Sequence, residues 1–291
     1  MTEKNAYAKI NLFLDIESRR TDGYHNIKSI MQTVDWYDVV KVEKTQSDGI
    51  KITSDDKSIP TDSSNIVYRV AKAFLCELDC HEGIAIDIQK NIPVSAGMAG
   101  GSADGAATLE ALNELFDYPF STEELIDIGK NIGADIPFCL VGGTKIISGI
   151  GEIIEHCADM PECFIVCAKQ GDSGVATPQA YKDLDDKYDG FWDYKYNKTK
   201  LDAMVAAIER KDIKGVCKNA FNIFEKVIEK EHVSVNKLKN TMKSGGAELT
   251  MMSGSGPSVF GIFYDIKKAE KTLSALFKGG AKAKICKPIS K

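Results

Sequence analysis

Pro93-Val94-Ser95-Ala96-Gly97-Met98-Ala99-Gly100-Gly101-Ser102-Ala103-Asp104 carries the chain from an apolar segment, through small residues, into a helical pattern over Ala106 to Phe116. Such a stretch reads as a phosphate cradle. Gly97, Gly100 and Gly101 have no side chain, so the backbone can take positive φ there and approach a ligand, and the N–H groups opening the next helix can meet anionic oxygens. No Gly-Lys-Ser/Thr closes the stretch as in a Walker A loop, and no G-x-G-x-x-G fingerprint is present. An ordinary tight turn would use the same glycines. The rest of the chain decides between the two readings.

Its 291 residues, 43% hydrophobic and 27% charged, describe a soluble globular protein of one large domain or two ordinary ones. Met1-Thr2-Glu3-Lys4-Asn5 leads almost directly into a strand pattern without the features of a signal peptide, and no apolar run approaches the roughly 20 residues of a bilayer span. A cytoplasmic location and no membrane partner are expected. The eight cysteines lie scattered in apolar stretches, which fits reduced, buried thiols better than a disulfide framework. Cys76, Cys80 and His81 cluster but lack a fourth neighbouring ligand, so core packing on a helix is the expectation and no structural metal is. A net charge of -5 with dispersed lysines argues against a general nucleic-acid binder. A small molecule is the expected partner, with monomer and homodimer both open.

Ala6, Ala8, Ile10, Leu12, Leu14 and Ile16 alternate with Tyr7, Lys9, Asn11, Phe13 and Asp15, the period of a strand with one buried face, on which Lys9 and Asn11 point the same way. Strands are predicted over Ile27 to Val34, Val39 to Glu43, Ile50 to Thr53 and Ile84 to Gln89, around a helix from Asn65 to Leu78. Ser121-Thr122-Glu123-Glu124 is a capping box, and a strand over Thr144 to Ser148 follows. In the second half Cys163 to Ala168 reads as a strand, and Thr177-Pro178 opens a helix with Thr177 as N-cap. Helices over Lys200 to Arg210, Ile213 to Glu229 and Val235 to Lys243 precede strands Leu249 to Met252 and Ser258 to Tyr264. A helix Lys267 to Phe277 and a strand Ala281 to Cys286 finish the pattern, and the polar, aromatic stretch Asp185 to Thr199 reads as a long surface loop. This is an α+β arrangement with an antiparallel sheet, divided near Glu155 into domains 1–155 and 156–291.

Four further segments stand beside the glycine loop: Ala8-Lys9-Ile10-Asn11-Leu12, Asp22-Gly23-Tyr24-His25, Gly133-Ala134-Asp135-Ile136-Pro137-Phe138 and Met252-Ser253-Gly254-Ser255-Gly256-Pro257-Ser258. Together, and in this order from about Ala6 to about Phe263, they resemble the GHMP kinase superfamily, most closely its branch acting on a diphosphocytidyl alcohol. The resemblance implies a two-lobed fold, with a ribosomal-protein-S5-like N-terminal lobe and a ferredoxin-like α/β C-terminal lobe. It implies ATP as phosphoryl donor, Mg²⁺, and a place in isoprenoid precursor synthesis.

By the same resemblance ATP is held by Pro93, Ala96, Gly97, Met98, Ala99, Gly100, Gly101, Ser102, Ala103, Asp104, Gly105 and Ala106. Ser95 and Ala96 stand where glycine is more usual, and Ser95 is uncomfortable if its φ must be positive. The Ser102 hydroxyl faces the metal-bound phosphates in relatives; N-cap of the following helix is its other reading. Asp135 matches the catalytic aspartate and Lys9 the catalytic lysine. A helix N-cap and an exposed strand lysine are the plainer alternatives. Phosphoryl transfer to an alcohol needs a carboxylate to receive or orient the hydroxyl proton and a cation to offset charge, roles for Asp135 and for a Lys9 that holds carboxylate and hydroxyl in line.

Substrate contacts implied by the resemblance are Asn11 at the erythritol end, Tyr24 and His25 at the cytosine, and Thr177 and Tyr181 in a second base-contacting segment where Tyr181 stacks on the ring. Ala176 stands where Ser is more usual. Gly254, Ser255 and Gly256 match the third glycine motif, which packs beside the phosphate loop; a tight strand-to-strand turn explains the glycines equally well. Another GHMP small-molecule kinase, of homoserine or mevalonate type, and a catalytically silent regulator of the same fold remain as alternatives. Neither requires the Tyr24, His25 and Tyr181 set.

Overall fold

The computed structural model describes residues 1–171, 174–191 and 193–290. By packing, the chain forms two compact units: Met1–Ala8, Trp36–Ile92 and Ala99–Val141 in the first, and Lys9–Asp35, Pro93–Met98 and the residues from Gly142 onward in the second. The division is interleaved because two long strands, β1 (Thr2–Arg19) and β2 (His25–Thr45), each supply residues to both. A single cut at residue 155 therefore follows chain order, not packing. The two strands expected over 27–34 and 39–43 are one, since nothing between them breaks the extended pattern.

The first unit adds β3 (Ile50–Ser54), α1 (Ile66–Glu77), β4 (Gly83–Gln89), α2 (Gly100–Leu115), α3 (Thr122–Lys130) and α4 (Ile136–Val141). β4 pairs antiparallel with β2, Val42 opposite Ile86, and parallel with β3, Ile52 opposite Ile86. Val40, Val42, Ile84, Ile86 and Ile88 meet Val67, Val70 and Phe74 of α1 and Ala103, Ala106 and Ala107 of α2 in one core. Burying a side chain of the size of Phe74 contributes about 2–3 kcal/mol. Helix α1 starts where Asn65 Oδ1 accepts the Val67 N–H at 2.9 Å, and the capping box at Ser121 and Glu124 closes in both directions. Small residues on α2 let it lie close to α1: a Cβ built on Gly105 would fall 2.9 Å from Ile66 Cγ2.

An ionic cluster is buried in this unit just after β4. Lys90 Nζ donates to Asp38 of β2 and, at 2.6 Å, to Asp104 Oδ2 of α2. Asp38 Oδ1 also accepts the backbone N–H groups of Asn91 at 2.5 Å and Ile92 at 2.7 Å. Asp104 Oδ1 is buried without a hydrogen-bond partner among the described residues. Burial, opposed by Lys90 and reinforced by Asp38, pushes the Asp104 carboxyl up to about 7. For Lys90 burial pulls downward, but the two carboxylates outweigh it and raise the ammonium above its ordinary range.

The second unit holds β5 (Thr144–Ser148), β6 (Ile153–His156), β7 (Phe164–Gln170), α5 (Thr177–Lys187), α6 (Lys198–Glu209), α7 (Ile213–Asn219), β8 (Phe221–Asn222), α8 (Glu225–Glu231), α9 (Val233–Ser244), β9 (Leu249–Met252), β10 (Val259–Phe263), α10 (Ile266–Lys278) and β11 (Ala281–Cys286). Four of these strands form an antiparallel sheet in the order β11-β7-β10-β9, with Gly261 opposite Val166 on one side and Thr250 on the other, and α9 and α10 pack on it.

Three sequence expectations are corrected here. The helix predicted over Ile213 to Glu229 is broken: Ala220 turns extended (φ -58°, ψ 139°) and Phe221-Asn222 pair in parallel with Phe13-Leu14. The Asn222 amide compensates for the lost helical bonds by donating to Met252 O and Gly254 O at 2.8 and 2.9 Å. The N-cap of α5 is Ala176, not Thr177, whose hydroxyl is engaged with Ser255 at 2.9 Å. The stretch from 185 is a surface loop only in part: α5 runs to Lys187 and α6 begins at Lys198, and between them Asp189, Gly190 and Phe191 take positive φ and Phe191 is buried. All eight cysteines are free thiols, but Cys76 is exposed, because Val67, Val70, Ala71 and Phe74 form the buried face of α1. Among the described residues no helix is long and apolar enough to cross a membrane.

Candidate active site

In the first unit α2 opens at Ala99, which takes the left-handed conformation (φ 57°), and no side chain caps the helix. Ala103 N–H is bonded to Ala99 O at 2.8 Å, so the preceding N–H groups of Gly100, Gly101 and Ser102 lie at the positive end of a 16-residue helix. That is the arrangement an anionic oxygen uses. Ser102 is the third residue of α2 and not its N-cap. A Cβ on Gly133 would lie 3.4 Å from Ser102 Oγ, so this glycine brings the segment before α4 close to the first turn of α2. Asp135 directly precedes α4, is half-buried, and accepts the Cys139 N–H at its carbonyl at 3.0 Å. Ala103, Gly105 and Ala106, expected at the nucleotide, are buried in the core of the unit. Asp104 turns its carboxylate to Lys90.

In the second unit Ser95 and Gly97 take φ of 51° and 71°. The strain foreseen for Ser95 is therefore real, on the order of 1 kcal/mol. Neighbours hold the loop through its carbonyls: Lys169 Nζ donates to Val94 O at 2.6 Å, Ser258 N–H to Ala96 O at 3.2 Å, Ser253 Oγ to Gly97 O at 2.9 Å and Lys9 N–H to Met98 O at 3.1 Å. Gly97 is obligatory, since a Cβ there would fall 2.2 Å from Ser253 O. The third glycine motif is thus both the turn between β9 and β10 and a wall of the loop, with Gly254 and Gly256 at φ 58° and 85°. Asn222 and Glu225 hold it in place; Glu225 Oε1 accepts the Met252 N–H at 2.7 Å and the Lys239 ammonium at 2.7 Å. Burial raises the Glu225 carboxyl against the pull of Lys239.

Lys9 is not an exposed strand lysine: it is 4% exposed. Its Nζ donates to Asn11 Oδ1 at 2.8 Å, Asn11 Nδ2 to Ser29 Oγ at 2.9 Å, and Ser29 Oγ to Phe13 O at 2.6 Å. This chain fixes which way the Asn11 amide points. A Cβ on Gly254 would lie 3.6 Å from Asn11 Oδ1, so Lys9, Asn11, Gly97 and the third motif converge.

His25 and Tyr181 meet as a stacked pair, centroids 4.9 Å apart and planes at 20°. Tyr24, the neighbour of His25 in sequence, is 61% exposed, its N–H bonded to Asp22 Oδ1. The Asp22 carboxyl is held below its ordinary range by Arg20. Sequence reasoning missed Ser29, Asp185, Phe191 and Asp15. Asp185 carried a signal, standing one helical turn after Tyr181, but a loop reading of that stretch concealed it.

Residues 65–143 match the family model for the GHMP kinases N terminal domain and residues 204–282 that for GHMP kinases C terminal. The chain is 45% identical over 276 residues to the 4-diphosphocytidyl-2-C-methyl-D-erythritol kinase of Caldicellulosiruptor saccharolyticus, covering 94% of this chain and 93% of that one. It is 44% identical to the Clostridium acetobutylicum protein of the same name, covering 91% and 92%. A crystal structure of 4-(cytidine 5'-diphospho)-2C-methyl-D-erythritol kinase superposes over all of both chains with a TM-score of 0.82 at 26% identity. The homoserine kinase of Cytophaga hutchinsonii shares the fold, with a TM-score of 0.71 at 20% identity over 88% of each chain. The chain belongs to the GHMP kinases and, among them, to the 4-diphosphocytidyl-2-C-methyl-D-erythritol kinases.

Proposed function

We propose that this protein, in the cytoplasm, transfers the γ-phosphoryl group of ATP to the 2-hydroxyl of 4-diphosphocytidyl-2-C-methyl-D-erythritol, giving the 2-phosphate and ADP on the non-mevalonate (methylerythritol phosphate) route to isopentenyl diphosphate. The observation that carries the phosphoryl chemistry is the opening of α2, uncapped and left-handed at Ala99. The substrate rests on likeness to the relatives of that name. The backbone from Gly97 to Ser102 binds the phosphates. Asp135 receives the proton of the attacking hydroxyl, and Lys9 supplies positive charge as the phosphoryl group moves. Asn11, its amide fixed by Lys9 and Ser29, orients the erythritol end. Tyr24, His25, Thr177 and Tyr181 take the cytidyl end.

Mg²⁺ binds nucleotides chiefly through phosphate oxygens, water and one or two protein oxygens. The Ser102 hydroxyl, in the first turn of α2, suits such a role, whereas Asp104, committed to Lys90, does not. When bound, the ion offsets charge on the β- and γ-phosphates.

The test is ADP release with Mg-ATP and, in parallel, the cytidyl alcohol, mevalonate, homoserine and galactose. Turnover with the cytidyl alcohol alone is expected. Turnover with one of the others in its place would remove the roles given to His25 and Tyr181. His25→Ala should raise KM for the cytidyl alcohol far more than KM for ATP.

A further inference from the structure

His25, the first residue of β2, has a side chain only 4% exposed and is held from three directions within the second unit. Tyr181 covers a face of the ring. Phe191 meets it edge-on, at 5.7 Å and 73°. The Nε2–H donates to Asp185 Oδ1 at 2.7 Å. Tyr181 and Asp185 stand four residues apart on α5, so one helix face grips the imidazole by its plane and by its edge.

Each of the three is itself supported. Tyr181 packs against the edge of Phe224 at 5.0 Å and 90°. Asp185 Oδ2 lies 3.6 Å from Arg19 Nε, and its side chain is 17% exposed. The segment after Phe191 is tied to Asp15, which is fully buried on β1 and accepts Tyr194 O–H at 2.7 Å, Asn197 N–H at 2.8 Å and Asn197 Nδ2–H at 2.9 Å. Burial and Asp15 push the Tyr194 hydroxyl far above its usual range, so it stays a donor.

An imidazole left alone can turn about its side-chain torsions and exchange the proton between its nitrogens. A carboxylate on Nε2–H removes both freedoms, and Nδ1 becomes the ring's remaining polar atom. We infer that Asp185 is a positioning residue for substrate recognition, locking His25 against Tyr181 so that the cytidyl base meets an aromatic surface already ordered. The inference rests on the functional reading given above and adds a residue to it. Ordering one ring and its stacked partner before binding is worth about tenfold in affinity.

The experiment compares full-length wild type with Asp185→Ala and Asp185→Glu. Steady-state kinetics give kcat and both KM values, and ¹⁵N–¹H correlation spectra of labelled histidine report which ring nitrogen of His25 is protonated, its signals being identified by their loss in His25→Gln. Expected are a single Nε2–H form in wild type at alkaline pH and a mixture of tautomers in Asp185→Ala. KM for the cytidyl alcohol should rise about tenfold in Asp185→Ala, with kcat and KM for ATP within twofold of wild type, and Asp185→Glu should restore most of the loss. Active wild type with an unmoved KM in Asp185→Ala, or an equal rise in KM for ATP, would overturn the inference alone. Wild type inert toward the cytidyl alcohol would overturn the functional reading, and the inference with it.

Discussion

Replacing Asp104 by Asn should stabilise the protein strongly at pH 8 and less than half as much at pH 5. In the folded chain the Asp104 carboxyl, buried and sharing Lys90 with Asp38, titrates at about 7 in place of the ordinary 3.8. Between those values the folded state holds a proton that the unfolded state has released. Stability from this group is therefore fully present below about 4, falls as pH rises, and is lost once pH passes about 7. The gap of about three units corresponds to roughly 4 kcal/mol at about 1.4 kcal/mol per unit. Asn has nearly the same shape, keeps an oxygen for Lys90 Nζ and cannot ionise, and Lys90 retains its ion pair with Asp38. The expected gain is about 4 kcal/mol at pH 8, shrinking to about 1.7 kcal/mol at pH 5, where only the unfolded chain has released the proton. Urea unfolding of both proteins at pH 5, 6.5 and 8, followed by circular dichroism, measures it. Stability curves that run parallel across this range would refute the reasoning, since they would mean that Asp104 is already ionised in the folded protein throughout.

Gly97→Ala should abolish turnover while leaving the protein folded, because the added methyl would fall 2.2 Å from the Ser253 carbonyl oxygen and displace the loop; a crystal structure or ATP titration of the variant checks the displacement. Ser95→Gly should raise stability by about 0.5–1 kcal/mol, as glycine adopts the observed φ of 51° without the steric cost that serine carries; the urea midpoint reports it. Asp135→Asn should lower kcat on the order of 10²-fold or more with an unchanged unfolding curve, the usual scale for loss of a general base, and near-full turnover would remove Asp135 from that role.

What was legible in the sequence follows from how local the signals are. The strand over Ala6 to Ile16, the Asn65 cap and the Ser121 capping box are set by residues within one element, and the structure repeats them, except that the strand's expected single buried face becomes two: Lys9, Asn11, Phe13 and Asp15 are buried as well. Of the three loop glycines only Gly97 has the positive φ expected; Gly100 and Gly101 are helical, and Ser95 and Ala99 take the left-handed turns instead. The helix break at Ala220 was not legible, because its cause is the Asn222 amide bonding to carbonyls at 252 and 254, some thirty residues downstream. The same holds for the stretch after Asp185: polar and aromatic residues there look solvated until Asp15 and His25 are known to receive them. Asp104 looked like part of the nucleotide loop, and only the fold reveals that Lys90, which it shares with Asp38, holds its carboxylate.

The distance in sequence between Asp15 and its partners also shapes how the protein is made. Tyr194 and Asn197 lie 179 and 182 residues further along the chain, and Phe221-Asn222, which pair with Phe13-Leu14, later still. At about 5–20 residues per second of synthesis, the first strand waits roughly 10–40 s on the ribosome before these segments emerge. Throughout that wait its edge is open to pairing with other chains. Asp15, Glu17 and Arg19, charged at every second position, are the kind of residues that discourage such pairing. The carboxylate at position 15 thus serves the nascent chain as a solubilising charge and the finished protein as an anchor for the aromatic segment around Tyr194.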